Sequence, residues 1–537
     1  MGLSLYQVER LENGHANAAA FLPSVAAATA KQEGWFHEAT PGALGAAPAS
    51  EAPRVNGRSP HRTSQLDQAS TDEHARSSTG ATLVLASLVL LVVVRFFTEV
   101  VVVLPRFANF VDIPIFFTIV FFALLRAKPI ERPQALTPLL LMTFGVVALC
   151  VLATLTNLSR VDLAPALVFV YGFLGPIGVF VAVHSLWPVG SAIRLSRLLI
   201  ALCVLQLVIA FAVDLPLFLA GASPDVISGT FGENPYQLVY FLLVMAGLLA
   251  GVFTFEKGRL AARLTPFLLI AILAVIFLAQ YRSLLATTGL TIVLLAIMLS
   301  SMGTRGVMIA AVSATALLGT MVYLAQTIPE LKFQATIEDS GGDPTIYVKE
   351  RLSRLDVIGR VFADTPRFAL TGTGPGTYSS RAWRTFALDS DSDADVAGDY
   401  VLLLTQGRPY RTDVSDRYVA PQLRNQQYIS GSTAITRPFA TYLSLLAELG
   451  VFGFLLLVGA YVWALVCSAR MALVSGRAAL PGDPLPGLCC AGTVAFFVLL
   501  QMAALDNWLE VTRITFIAWI IFAVAMKEFA GRKQINV

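Results

Sequence analysis

Residues 236–254 read YQLVYFLLVMAGLLAGVFT, an apolar stretch without a charged side chain that is long enough to cross a membrane as one α-helix. About twelve stretches of this kind follow one another along the chain. They cover residues 81–104, 112–126, 137–156, 163–184, 196–219, 236–254, 264–281, 284–300, 306–325, 439–467, 487–505 and 511–527. This succession predicts an all-α polytopic membrane protein with about twelve transmembrane helices, because a helix satisfies its own backbone polar groups in lipid.

The composition supports a membrane protein and excludes several other classes. Of the 537 residues, 56% are hydrophobic and 14% are charged, whereas about a quarter of the residues in a soluble protein are charged. The formal net charge of +3 is small, and it indicates neither nucleic acid nor a bulk acidic partner. The sequence contains no Cys-X-X-Cys pair and no Cys/His cluster, so a structural zinc site is not expected.

The distribution of Lys and Arg predicts the orientation of the helices. Cations lie in every second connection, as in residues 126–132, 194–197 and 257–263, whereas the intervening short loops carry mainly acids such as Asp162. Because Lys and Arg accumulate in cytoplasmic loops, we expect both termini in the cytoplasm. The large polar loop between helices nine and ten is then expected on the outer side of the membrane.

These patterns divide the chain into four regions. Residues 1–80 are rich in Ala, Ser, Pro and Gly, which predicts a disordered cytoplasmic tail without a cleaved signal peptide. Residues 81–325 are expected to hold helices one to nine. Residues 326–438 are polar and Arg-rich and are expected to form the outer loop domain. Residues 439–537 are expected to form helices ten to twelve and a short cytoplasmic C-terminus.

Two groups of charged residues allow more than one explanation. Arg95 and Glu99 lie one turn apart within the first predicted helix, where an unpaired charge is costly. Either they form a structural ion pair near the outer face, or they take part in substrate binding. Aspartates recur from Asp389 to Asp399 and favour a solvated, mobile lid. Calcium binding is the alternative, although the spacing lacks the glycine turn and distal Glu of a calcium loop.

Four local motifs lie in or next to the predicted outer loops. In chain order they are Gly229–Pro235 (GTFGENP), Tyr281–Ser283 (YRS), a segment running from Arg351 through Pro366 to Gly372–Tyr378 (GTGPGTY), and Tyr442-Leu443 followed by Glu448–Gly453 (ELGVFG). No glycine motif follows a strand and opens a helix within a βαβ unit, so a sugar nucleotide is not indicated as a donor.

In this order and placement, the motifs resemble those of the O-antigen ligase and Wzy-type polysaccharide polymerase superfamily, from about Thr82 to the end of the chain. The resemblance implies an inverting glycosyltransferase of the bacterial inner membrane that needs neither metal nor cofactor. Such an enzyme transfers a glycan from an undecaprenyl diphosphate carrier to an acceptor hydroxyl at the periplasmic face. Its partners would be the lipid-linked oligosaccharide and membrane lipid, with a chain-length regulator and export proteins as further candidates.

Arginines are the candidate ligands of the donor diphosphate, because a planar guanidinium binds phosphate oxygens in pairs. Arg282 in the second motif is a predicted catalytic residue; a snorkelling anchor is the alternative, which its predicted outer position disfavours. The resemblance assigns Arg351 as a second catalytic arginine, for which ion pairing with acidic neighbours is the alternative. Arg354 and Arg360, on the same predicted helix, and Arg437, at the membrane boundary, are predicted substrate-binding residues.

A general base for the acceptor hydroxyl is sought among carboxylates expected at the outer surface. Glu448 is the predicted catalytic residue, Glu233, Asp506 and Glu510 are further candidates, and a capping or pairing role of Glu448 within its helix is the alternative. The glycine run of the third motif is expected to bring backbone N–H groups close to an anion or a sugar, unless it forms only a tight turn. The remaining predicted substrate-binding residues are Asn234, Gly374, Gly376, Tyr378 and Tyr442.

One departure from the superfamily pattern affects the predicted reaction. The ligases carry a His-Asn pair just before the Tyr-Leu of the fourth motif, whereas this chain has Phe439 and Ala440 there. A histidine base at this position is excluded, which favours a polymerase that joins lipid-linked repeat units. The alternatives are ligase-type transfer of a finished glycan to a lipid or protein acceptor, and a flippase or other transporter of lipid-linked oligosaccharide.

Overall fold

Twelve segments of the chain are described in the computed structural model. They are residues 79–101, 103–126, 136–221, 226–232, 234–255, 259–279, 282–300, 346–387, 410–419, 421, 440–479 and 482–535. All of them belong to one unit of the chain. The predictions for the tail before residue 79, for the helix at 306–325 and for the aspartate run lie outside the described residues.

The described part of the chain is helical and contains no strand. Its first half forms α1 (Thr79–Val100), α2 (Asp112–Leu125), α3 (Thr137–Thr156), α4 (Leu163–Leu186), α5 (Ala192–Ile209), α6 (Pro235–Phe255), α7 (Arg259–Leu278) and α8 (Arg282–Ser300). Its second half forms α9 (Ile346–Asp364), α10 (Phe368–Thr371), α11 (Arg381–Ala387), α12 (Thr441–Arg477), α13 (Leu485–Ala503) and α14 (Thr512–Ile535). A π-turn at Phe96–Val100 closes α1, and α5 continues through Ala210–Asp214 into Leu215–Leu219.

Nine of the described helices are long and apolar enough to cross a membrane, namely α1 to α6 and α12 to α14, where the span of α2 includes the preceding turn and begins at Ala108. The apolar parts of α7 and α8 are shorter and cover Leu264–Leu278 and Thr287–Met298. The prediction of an all-helical, multi-pass membrane protein is therefore confirmed. The number of twelve helices and the outer position of the loop domain stay predictions.

The centre of the bundle is formed by α6, α13 and α14, whose residues are mostly buried, whereas α2 and α3 lie at the periphery. Small residues allow α6 and α13 to pack closely, as is common between membrane helices. A Cβ atom on Gly251 would lie 2.6 Å from the Cα atom of Gly487, and one on Gly247 would lie 3.3 Å from the Cα atom of Ala491. These contacts show that the two helices run antiparallel.

The connections between helices gather at the two ends of the bundle. At one end, which we call the loop end, the amide of Asn157 donates to the carbonyl of Gly372, and the Nε atom of Arg160 donates to both carboxylate oxygens of Asp413 at 2.8 Å. The opposite end is held by Glu528, which accepts hydrogen bonds from the indole of Trp187 and from two backbone N–H groups. The connections at the loop end are therefore those that the distribution of Lys and Arg predicts on the outer side of the membrane.

The described parts of the loop domain pack directly on the bundle. Their small core consists of Val357, Ile358, Val361, Phe368, Tyr378, Val414, Val419 and Ala447. Ala447 belongs to α12, so a bundle helix contributes to this core. The glycine segment 372–380 connects α10 to α11, and all of its residues are buried. The predicted loop domain and the bundle thus share buried surface at the loop end.

Candidate functional site

Arg95 and Glu99 form the ion pair that their spacing predicted. The NH1 atom of Arg95 lies 3.5 Å from Glu99 Oε1, which also accepts a 2.9 Å hydrogen bond from the amide of Asn109. Gly232 of the first motif has a φ of +66°, and a Cβ atom there would collide with the Glu99 carboxylate. This glycine allows the loop before α6 to lie against the pair. The Arg95 Nε atom is buried and has no hydrogen-bond partner among the described residues.

A second arginine lies beside this pair. Arg513, in the first turn of α14, is only 4% exposed. Its NH2 atom donates a 2.9 Å hydrogen bond to the backbone carbonyl of Asn109, and its NH1 atom is buried without a partner in the part of the chain that the structure describes. The charged groups of Arg95, Glu99 and Asp112 all lie close enough to this guanidinium to interact with it electrostatically. Two cations from distant parts of the chain therefore converge on the Glu99–Asn109 contact.

The two arginines have unused hydrogen-bonding capacity, although nearby carboxylates balance their charge. Glu99 is engaged with Asn109, and Asp112 accepts hydrogen bonds from the hydroxyls of Tyr171 and Thr512. Buried N–H groups nearly always have a partner in native proteins. The unpartnered Nε atom of Arg95 and NH1 atom of Arg513 are the donors that a phosphate oxygen would use. We call these two residues the arginine pair.

Glu448, the predicted general base, has a different environment from the one expected. Its carboxylate is fully buried, and its role as a general base stays a prediction. It accepts backbone N–H hydrogen bonds from Gly376 at 2.5 Å and from Tyr378, Ser379 and Ser380 at 3.0 Å each. The glycine segment does bring its N–H groups close to an anion, and that anion is a side chain of the protein itself. Glu448 thus anchors the segment to α12.

Positive φ values explain why glycines occupy this segment. Gly374 has a φ of +110° and Gly376 a φ of +72°, which disfavour other residues. A Cβ atom on Gly376 would lie 2.8 Å from the Cβ atom of Pro165 at the start of α4. Gly374 and Gly376 therefore allow the segment to lie between α4 and α12 with its amides directed at Glu448.

Glu510 is a second buried carboxylate that receives the same segment. Its Oε2 atom accepts the backbone N–H of Arg381, whereas its Oε1 atom is buried and has no hydrogen-bond partner among the residues that the structure describes. Burial raises the pKa of the Glu510 carboxyl well above its usual value, and the nearby charge of Glu448 raises it further. Glu448 and Glu510 together fix the chain from Gly376 to Arg381 on the bundle.

Other predicted site residues mainly make internal contacts. The hydroxyl of Tyr442 donates to the backbone carbonyl of Leu500, and the ring of Tyr378 is buried in the loop-domain core. The amide of Asn234 donates to the carbonyl of Phe231, and Arg360 is exposed on α9. The structure therefore brings Gly376 and Tyr378 to Glu448, while Tyr442, Asn234 and Arg360 lie in separate environments.

For the arginines that are predicted to bind the donor diphosphate, the structure describes at most the backbone. Arg282 is the first residue of α8, and Arg351 and Arg354 lie in α9. Their side chains, like the whole of Arg437, lie outside the described residues. Their predicted convergence on a diphosphate stays a prediction.

Sequence reasoning overlooked Arg513, although a signal was present. A cation at the outer end of a helix is contrary to the tendency of Lys and Arg to lie in cytoplasmic loops. This exception favoured a functional role for Arg282, and it applies equally to Arg513 at the start of the last predicted helix. The partner of Arg513 was not predictable, because Asn109 lies in a distant connection.

Comparison with models of known protein families gives no match, and comparison with curated protein sequences gives none either. The resemblance to the ligase and polymerase superfamily consequently rests on the four motifs. Within the described ranges, no group of three or more His, Cys, Asp or Glu side chains is arranged to hold a metal ion.

Proposed function

We propose that the protein is a polysaccharide polymerase that transfers a glycan from an undecaprenyl diphosphate carrier to a lipid-linked repeat unit. The reaction would take place at the loop end of the bundle, on the periplasmic face of a bacterial inner membrane. The observation that carries the proposal is the arginine pair, Arg95 and Arg513, with its two buried and unpartnered N–H groups. The motif order along the sequence supports the same class of enzyme.

The chemistry of glycosyl transfer explains why such a pair is useful. The acceptor hydroxyl attacks the anomeric carbon on the face opposite the diphosphate, and the carbon–oxygen bond to the diphosphate breaks as the new glycosidic bond forms. The hydroxyl proton passes to a base, and the departing diphosphate gains negative charge. Fixed guanidinium donors stabilise this charge, most strongly where water is excluded. A site within the bundle end and below the loop domain suits a lipid-linked donor.

The arginine pair also fits the topology of the donor. Arg95 belongs to α1 and Arg513 to α14, and both helices are long enough to span a membrane. Each residue lies close to the loop end of its helix, where the headgroup of a lipid would be. A carrier lipid could then keep its polyprenyl chain in the bilayer while its diphosphate meets both guanidinium groups.

Reconstitution with a defined substrate tests the proposal. Purified protein in nanodiscs is incubated with lipid-linked repeat units, and the products are separated by chain length. A polymerase yields a ladder of lipid-linked products, a ligase yields transfer to an added acceptor without elongation, and a transporter yields no new glycosidic bond. Either of the last two results contradicts the proposal.

Arg513→Gln is the variant that tests the arginine pair, and Arg532→Gln on the same helix is its control. Arg532 lies at the opposite end, where it pairs with Asp483. A hydrogen bond to a charged group contributes about 1.5–3 kcal/mol, so Arg513→Gln should lower the rate of polymer formation about 10- to 100-fold. Arg532→Gln should leave the rate unchanged per folded molecule. An equal rate for Arg513→Gln and the unchanged protein would refute the role of the pair.

A further inference from the structure

A second group of buried polar atoms lies at the loop end, between α6 and α13. Gln237 and Tyr240 on α6 are 1% and 0% exposed. Four polar atoms there are buried and have no hydrogen-bond partner within the described ranges, namely the Oε1 atom of Gln237, the hydroxyl of Tyr240 and both amide atoms of Gln501. Unpartnered polar atoms are costly in a protein interior, so several of them together indicate an absent ligand or water.

The packing of α6 against α13 places the two glutamines opposite one another. Gly251 meets Gly487 at the closest contact of these antiparallel helices. Gln237 precedes Gly251, and Gln501 follows Gly487, by about 14 residues each, which is about four helical turns. Residues at this spacing return to the same face of a helix. Gln237 and Gln501 therefore lie at the same level on facing surfaces, yet their amides do not bond each other.

Aromatic rings lie between this group of buried polar atoms and the arginine pair. The ring of Trp508 lies 5.5 Å from that of Tyr236 and 5.9 Å from that of Tyr240. Tyr236 is in turn within electrostatic range of Arg513. Along the loop end, the unpartnered polar atoms are thus followed by the aromatic rings and then by the guanidinium groups.

We infer that Gln237 and Gln501, with the hydroxyl of Tyr240, bind the hydroxyl groups of the sugar that is attached directly to the carrier diphosphate. This inference rests on the proposed function, because it requires the diphosphate to lie at the arginine pair. Gln501 offers a donor and an acceptor through its two amide atoms, and Gln237 offers its Oε1 atom as an acceptor while its Nε2 atom donates to the hydroxyl of Tyr236. A sugar hydroxyl requires both a donor and an acceptor. Aromatic walls with a few fixed polar groups are typical of small-molecule sites.

Two lipids that differ only in the sugar part test the inference. Binding is measured by native mass spectrometry for undecaprenyl diphosphate and for the lipid-linked repeat unit extracted from a strain that lacks the protein. Gln237→Leu and Gln501→Leu remove the amides while nearly keeping the side-chain length. Each should weaken binding of the sugar-bearing lipid about 10-fold and leave binding of the bare lipid unchanged.

Removal of single hydroxyl groups provides a milder test with a matched control. Tyr240→Phe removes a single oxygen atom at the site, and it should weaken only the binding of the sugar-bearing lipid. Ser196→Ala removes a buried hydroxyl near the start of α5, at the opposite end of the bundle, and it should weaken neither lipid. This pair keeps the test valid if a glutamine variant fails to fold.

The possible outcomes separate the inference from the proposed function. Equal affinity of the variants and the unchanged protein for the sugar-bearing lipid would overturn the inference. It would also be overturned if the variants lost affinity for both lipids to the same extent, because the glutamines would then serve only to hold α6 and α13 together. The proposed function fails separately if Arg513→Gln binds bare undecaprenyl diphosphate as tightly as the unchanged protein does.

Discussion

Glu448→Gln tests how the glycine segment is held on the bundle. In the native protein, Oε1 of Glu448 accepts three backbone N–H groups and Oε2 accepts the fourth, from Gly376. Glutamine keeps one acceptor oxygen and replaces the other by an NH2 group. At least one hydrogen bond to a charged oxygen is then lost, at about 1.5–3 kcal/mol, and the remaining bonds lose their charge assistance. The free energy that keeps the segment closed should fall by at least this amount.

Hydrogen exchange measures this free energy at the amides concerned. Each 1.4 kcal/mol changes an equilibrium constant about tenfold, so the amides of Gly376 and of residues 378–380 should exchange about 10- to 100-fold faster in Glu448→Gln. Glu528→Gln is the control, because Glu528 is a buried carboxylate at the opposite end that accepts the N–H groups of Gly190 and Ser191. The control should affect exchange only there. Unchanged exchange at residues 376–380 in Glu448→Gln would refute the anchoring role.

Two further predictions concern backbone strain and pH. Gly450→Ala should lower the melting temperature more than Gly190→Ala. Both positions have positive φ, a strain of about 1–3 kcal/mol for alanine, but only the Cβ atom at residue 450, where α12 is kinked, would lie 2.6 Å from the carbonyl oxygen of Leu370. The pKa of Glu510 is raised on folding, so its stabilising contribution is complete below its unfolded pKa and is lost as pH rises through its folded pKa. Because Glu510→Gln stays neutral, the difference between its melting temperature and that of the unchanged protein should shift in favour of the variant as the pH rises above the unfolded pKa of a glutamate; a pH-independent difference would contradict this assignment.

The helices were largely predictable, because apolar length sets the part of a chain that crosses a membrane. The stretch 137–156 coincides with α3, and 236–254 falls within one residue of α6 at each end. The tenth predicted helix, 439–467, differs more, since α12 extends to Arg477. Polar residues such as Ser468 and Arg470 continue this helix beyond its apolar part, where hydropathy gives no signal.

The candidate site was predictable only where local chemistry decides it. The glycine run predicts backbone amides close to an anion or a sugar, and the amide of Gly376 donates to the Glu448 carboxylate, whereas the predicted binding of substrate by Gly374 and Gly376 stays a prediction. The identity of the anion was not available from the sequence, because Glu448 lies far along the chain and reaches the segment only through the packing of α12. The same holds for Arg513, whose contact with Asn109 depends on how α14 packs near the start of α2.

The attachment of the loop segment to Glu448 uses main-chain donors, and this has a consequence for how the protein can vary. A carboxylate that accepts hydrogen bonds from backbone N–H groups does not distinguish one amino acid from another at those positions. Substitution at residues 378–380 is therefore limited by the packing of their buried side chains and not by the hydrogen bonds to Glu448, provided that the glycines with positive φ remain. Proline is the exception, because it has no N–H group to offer.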